Sequence, residues 1–416
     1  MRPLSTLERA LWLHDQVEPS HFSVSGLIEG ATTVEEWRTA LASLQQRHPL
    51  FRVSIQTDEN GVPFFREETG GPIPLRIVQG NTKQQLEREI ALEISTPFLS
   101  SWRAPLVRAA VLHDKNRSIV ILTAHHSIGD GISLAYAIRD LLLALAGNAL
   151  KPLPVSPSHE ELLGIVEDPA ESRSSGVAGS VKPEFFKLFP RVASILLSSK
   201  LTSGLRERAQ LEGTSVHAAL LASIVFAAKE LAVSSDRPQL NLASPISTRK
   251  MLNQGDVCTM LTDIGMQDVG FPESGDFWEL ARQIRNELAP QASLERIAGS
   301  RVEFRRIFAN APDGETVAHI FQEHMHPDFM LSNLGDPGLE TQAGNLRLGA
   351  VWGPAILLGT RKDQQFLGAA TANGRLSLLY SSYRPIPRLL ETIQSILAEH
   401  VKASARVPHP CVALSA

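Results

Sequence analysis

Two adjacent histidines, His125 and His126, end the apolar stretch ILTAHH and are followed at once by Ser127, Ile128, Gly129, Asp130 and Gly131. An imidazole with its ordinary pKa near about 6.5 exchanges a proton around neutral pH. Beside backbone N–H donors, such a group suits removal of a proton from a hydroxyl or amine that attacks a carbonyl, which is acyl transfer. General-base action contributes about 10² to 10⁴ in rate, and one oxyanion donor roughly 3 to 4 kcal/mol. No GxSxG turn and no reactive cysteine context supplies a covalent nucleophile. Metal ligation is the competing chemistry, because His126 and Asp130 are four residues apart and would share one face of a helix. The glycines at 129 and 131 disfavour a helix there, and no third ligand stands nearby, whereas a catalytic zinc takes three. No metal is expected. The plainest alternative leaves both histidines as strand-end residues, one packed and one exposed.

The elements around the pair decide how it is presented. The segment PLVRAAVLHDKNRSIVILTAHH reads as two strands joined at Asp114, Lys115 and Asn116. Successive side chains on a strand face opposite ways, so one histidine is buried while the other meets a cleft. Gly131 permits close approach of a ligand. The next residues, ISLAYAIRDLLLALAG, carry helical spacing at Ile132, Ala135, Ile138 and Leu142 and stop at Gly147. The helix start offers N–H groups where negative charge develops.

Further out, Ser5 with Glu8 and Thr33 with Glu36 have capping-box spacing. Val34, Trp37, Leu41 and Leu44 share one helical face, Pro49 ends that helix, and LFRVSI reads as a strand. Residues 151 to about 185, rich in Pro, Ser, Gly and charge, read as a surface connection between two domains. Beyond it, Thr214 or Ser215 caps the apolar helix GTSVHAALLASIVFAAKELA. Strands are expected at QLNLASPIS, DFMLSNLG, LRLGAVWG and FLGAATANGRLSLLYSS, the last folded at the hairpin signal Asn373-Gly374. Both halves are α/β in character.

The 416 residues exceed what one core usually organises. With 43% apolar and 20% charged residues the composition is that of a folded globular protein. The net charge of −4 without like-charge blocks argues against nucleic acid or an anionic membrane as partner. Two cysteines, Cys258 and Cys411, fit neither a disulfide scaffold nor structural zinc. Glu8, Arg9, His14 and Asp15 interrupt the N-terminal apolar residues, unlike a signal peptide. No apolar run approaches the ~20 residues of a membrane span. A cytoplasmic monomer is the expectation.

The motif HHxxxDG, from His125 to Gly131, resembles that of the chloramphenicol-acetyltransferase-like acyltransferases. That superfamily includes nonribosomal-peptide condensation domains, polyketide-associated and alcohol acyltransferases, and plant BAHD enzymes. PLSTLERALWL, RHPLFRV, PLVRAAVL, GTSVHAALLAS, ASPISTRK and LSNLG are similar to family segments in the same order. The resemblance implies two α/β subdomains with mixed sheets, 1–165 and 186–416, joined by a linker at 166–185, with an active-site tunnel between them. It implies His126 as general base facing the tunnel and His125 as its support. Asp130 is then structural, turned from the substrate and paired with an arginine, for which Arg249 is the candidate; a solvated strand-end charge is the alternative for Arg249. Gly131 admits the acyl donor, with its N–H toward the oxyanion. Ser332 and Asn333 either line the tunnel or satisfy backbone groups at a strand end.

The DFGWG motif of BAHD enzymes is missing, and the two subdomains account for the chain. A stand-alone enzyme moving an acyl group to an alcohol is therefore expected, its activity falling below pH of about 6 to 6.5. An amide-forming condensation enzyme and a non-catalytic acyl- or partner-binding relative are the alternatives. No permanently bound cofactor is expected. The co-substrate is acyl-CoA or a phosphopantetheine thioester, an acyl carrier protein is a possible partner, and the acceptor is a small alcohol or amine.

Overall fold

The structure, a computed structural model, describes residues 2–18, 21–68, 71–98, 105–166, 181, 187–233, 237–272, 276–309, 312–357 and 363–402. The first half runs α1 (Thr6–Asp15), β1 (Phe22–Glu29), α2 (Val34–Arg47), β2 (Val53–Thr57), β3 (Pro63–Glu67), β4 (Leu75–Gln79), α3 (Lys83–Ser95), β5 (Val107–Asp114), β6 (Arg117–Ala124), α4 (Gly131–Leu145) and α5 (His159–Leu162). The second half adds β7 (Arg191–Leu196), α6 (Ser199–Leu211), α7 (Val216–Glu230), β8 (Gln239–Ser247), β9 (Thr262–Gly270), α8 (Phe277–Leu288), α9 (Leu294–Phe308), α10 (Gly314–His324) and β10 (Phe329–Asn333). It ends with β11 (Gln342–Ala343), β12 (Leu346–Ile356), β13 (Gln365–Ala372), β14 (Arg375–Ser382) and α11 (Leu389–Lys402).

Two six-stranded mixed sheets carry the α/β fold. Their orders are β11-β12-β1-β6-β5-β4 and β7-β14-β13-β10-β8-β9, and β2 with β3 forms a separate hairpin. Helices cover both faces of the first sheet's centre, where α3 and α4 each touch β6. Seven of the eight residues of β6 are therefore buried, and the usual in-out alternation is lost. The capping boxes at Ser5/Glu8 and Thr33/Glu36 are both formed, and Ser215 caps α7. Asn373 and Gly374, with φ of 49° and 70°, fold β13 onto β14.

The two sheets do not divide at the expected linker. β12, from the second half, pairs antiparallel with β1 over Phe22–Glu29, so the first sheet is completed by a strand that arrives late in the chain. The largest core follows it, joining Phe22, Val24 and Leu122 to Met330 and Phe366. Residues 166–185 lie outside the described residues except Val166 and Val181, as does Cys411. The stretch just before them differs from the expected surface connection. His159 and Glu160 are 1% exposed, because Leu7 N donates to Glu160 Oε1 and the ring of His159 pairs with Thr248 Oγ1 at 3.0 Å. That strap ties α1 to the end of β8. Among the described residues no single helix is long and apolar enough to cross a membrane; only α6 and α7 together, bent by 102°, reach that composition, and α7 is largely buried.

Candidate active site

Strand β6 stops at Ala124, and the chain makes one 3-10 turn over His126–Ile128 before Asp130 caps α4. This short passage turns the two histidines in different directions. His125 is fully buried, and its Nδ1 accepts from Ser127 N at 3.2 Å, which leaves its proton on Nε2. That edge lies 3.5 Å from Asp15 Oδ2, at the end of α1.

His126 is half-buried and packs against Phe22 with ring centroids 4.6 Å apart. Its Nδ1 lies 3.0 Å from the Gly129 carbonyl. A carbonyl only accepts, so Nδ1 carries the proton and Nε2 keeps its lone pair. Burial pushes the His126 pKa below the usual imidazole value, although the Gly129 carbonyl and the charge of Asp130 pull the other way. The ring is therefore neutral at pH 7. The expected fall in activity below pH of about 6 to 6.5 rests on an unperturbed ring, and burial acts on the ring in the direction of a lower pH.

Asp130 is a clamp in three dimensions. Its Oδ1 accepts from Ser133 N and Oγ, each at 2.9 Å, and from Arg249 Nη2 at 3.0 Å; its Oδ2 accepts from Leu261 N at 3.1 Å. Burial alone would raise the carboxyl pKa, but Arg249 and these hydrogen bonds outweigh it and hold the group below the ordinary carboxylate range. Arg249 is 4% exposed and also donates to the carbonyls of Val257 and Thr259, so it is no solvated strand-end charge. The clamp joins the α4 cap to the chain after β8.

Between the halves lies a cavity of about 270 Å³, lined by His126, Asp130, Gly131, Ser332 and Asn333 together. Its walls are mainly apolar, with Phe22, Met260, Met266, Phe304, Phe321, Met330 and Phe366 among them. Asp130 thus touches the cavity as well as the clamp. Arg249 and His125 stand behind it. Gly131 sits where a Cβ would come within 2.7 Å of Leu334 Cδ2, so its lack of a side chain allows the α4 start to meet the β10 end. Asn333 Oδ1 accepts from Gly335 N at 2.9 Å while Ser332 Oγ makes no hydrogen bond among the described residues. Asn333 therefore does both things weighed for it.

The sequence did not single out Thr262, Asp263, Arg301 or the aromatic walls, which also line the cavity. Arg301 is one of four arginines in α9, and nothing in their spacing marks which is buried. Among the described residues no three His, Cys, Asp or Glu side chains converge as a metal site would require.

Residues 1–160 match the family described as the condensation domain. Phosphinothricin tripeptide synthetase PhsC of Streptomyces viridochromogenes is 26% identical over 352 residues, covering 76% of this chain. The chain spans 31% of that synthetase's length and smaller shares of the other curated relatives named as synthases or synthetases. Among solved structures, the first condensation domain of the calcium-dependent antibiotic synthetase superposes with a TM-score of 0.68 at 16% identity, over 98% of both chains. Polyketide synthase associated protein 5 from Mycobacterium tuberculosis gives 0.65 at 16% identity, over 96% of this chain and 97% of that one. These likenesses show the fold, the two-lobed chloramphenicol-acetyltransferase-like architecture.

Proposed function

We propose that this chain, whose residues 1–160 match the condensation-domain family, transfers an acyl group from a thioester to an alcohol, with His126 as the general base. One observation carries this reading: the Gly129 carbonyl fixes the Nδ1–H tautomer at 3.0 Å, so a basic Nε2 belongs to a ring that lines an apolar cavity. An acceptor hydroxyl within reach of Nε2 gives up its proton as its oxygen attacks the thioester carbonyl. The tetrahedral oxyanion then collapses, expelling the thiolate, which takes the proton back from the imidazolium. No net proton is gained or lost. First-turn N–H groups of a helix have no acceptor within it, and Gly131 opens α4 at the cavity wall, the place for an oxyanion donor. Asp130 and Arg249 act by holding the loop.

The donor is an acyl-CoA or an acyl group on a carrier-protein phosphopantetheine. A second reading, amide formation between carrier-bound substrates, is favoured by the 26% identity to a tripeptide synthetase over 352 residues. Incubation with a panel of acyl thioesters, on CoA and on a carrier protein, with alcohols and amines, followed by product mass analysis, separates the two. Ester from acyl-CoA supports the first; amide from carrier-bound substrates alone supports the second; binding without turnover removes both. His126→Ala is expected to lose about 10² to 10⁴ in rate with its melting temperature kept. Full activity in that variant dismisses the base.

A further inference from the structure

Helix α9 brings Ser300, Arg301 and Phe304 to the cavity wall. We propose that Arg301 determines specificity there by binding a carboxylate carried by one of the two substrates. The side chain is 4% exposed, yet only one of its nitrogens is used: Nη2 donates to Thr262 O at 2.7 Å and to Asp263 Oδ1 at 3.0 Å. Nε is buried without an acceptor, and Nη1 makes no hydrogen bond among the described residues. A guanidinium has five N–H donors, so three of Arg301's stand unused in a nearly closed site. Arg249 of the clamp also leaves its buried Nε without an acceptor but has both its Nη atoms engaged, so the unused Nη1 is what sets Arg301 apart.

The charge balance points the same way. Asp263 shares its single negative charge between Arg301 and Arg296, which donates to Ile264 O as well. Asp130, the other carboxylate at the wall, is taken by Arg249. Behind Arg301, His159 has its pKa pushed down to about 3 by burial and by Arg301 itself, so it adds no charge. Burial raises the Glu160 pKa, while the charge of Arg301 opposes that rise. Asp263 thus offers one negative charge to two guanidiniums beside walls of Phe and Met, where a carboxylate gains charge-assisted, two-pronged hydrogen bonds.

The inference rests on the acyl-transfer reading only for which molecule carries the carboxylate, because the test is of binding. Calorimetric titrations would compare two matched pairs. One is the octanoyl thioester of N-acetylcysteamine and its eight-carbon twin ending in a carboxylate; the other is 1-octanol and 8-hydroxyoctanoate. The wild type and His126→Ala are both expected to bind one carboxylate probe at least about tenfold more tightly than its neutral twin. The pair that shows this identifies the substrate, donor or acceptor. Arg301→Gln should abolish the preference and leave the neutral twin's affinity unchanged, and Arg301→Lys should keep part of it. Asp263→Asn, which removes the competing internal anion, should enlarge it. Equal affinities in both pairs overturn the proposal, as does a preference that survives in folded Arg301→Gln. If Arg301→Gln does not fold, an unchanged preference in Asp263→Asn overturns it. Loss of turnover in every assay with the preference intact would remove the acyl-transfer reading alone.

Discussion

In the proposed role His126 is a base because the Gly129 carbonyl accepts a hydrogen bond from its Nδ1–H and leaves Nε2 free of the proton, and burial makes it a weaker one. The balance predicts a pH profile. Desolvation disfavours the imidazolium, so the folded ring protonates below the ordinary value of about 6.5 and remains competent at mildly acidic pH. The acid limb of kcat/KM is expected below about pH 6.5; a limb at or above that value would contradict the site as described. At this scale the sequence is most legible where chemistry is contiguous, as in the seven residues from His125 to Gly131. Arg249 was legible one step further, through the motif STRK. Arg301 was not, since its burial depends on how α9 lies against β9 rather than on its neighbours in sequence.

The loop between β6 and α4 is held from both ends, by the β6 ladder on one side and the Asp130 clamp on the other. The clamp's energetics follow from burial. Asp130 and Arg249 are 3% and 4% exposed, and taking away one member leaves the other's charge buried and unpaired. Arg249→Met is expected to destabilise the protein by about 3 to 5 kcal/mol, measured by denaturant unfolding, and to lower activity as the loop loosens. Asp130→Asn added to Arg249→Met should recover part of that stability, because the uncompensated carboxylate is gone. No recovery would mean that Arg249 acts mainly through the Val257 and Thr259 carbonyls. Element by element, local signals were readable. Capping oxygens fixed the starts of α1, α2 and α7, and Asn373-Gly374 fixed the β13–β14 turn. The segment LFRVSI was only half a strand, since Pro49–Arg52 takes a 3-10 turn before β2 begins at Val53.

Across the whole molecule, the least legible feature is the one that closes the cavity. LRLGAVWG reads as a strand from its composition, but nothing local says that it pairs with β1, where Ile28 meets Leu348, 320 positions further along the chain. Register over such a distance is set by the two buried faces fitting together, a property of the folded sheet and not of either segment. Ten of the eleven residues of β12 are buried. The first half cannot therefore satisfy its own sheet: without β12, the edge of β1 is left with unpaired N–H and C=O groups and the apolar side chains of Val24 and Leu27 lose their cover. Residues 1–165 expressed alone are expected to aggregate. Co-expressed with residues 186–416 as a separate chain, they are expected to form a soluble complex, because a break within 166–185 cuts no strand pairing described above. The same break leaves His126 on one chain and Ser332 on the other. Recovery of activity with the complex, measured by gel filtration and turnover together, would show that the cavity is assembled by the borrowed strand rather than by the linker, whereas a soluble, monomeric first half would show that β1 does not need it.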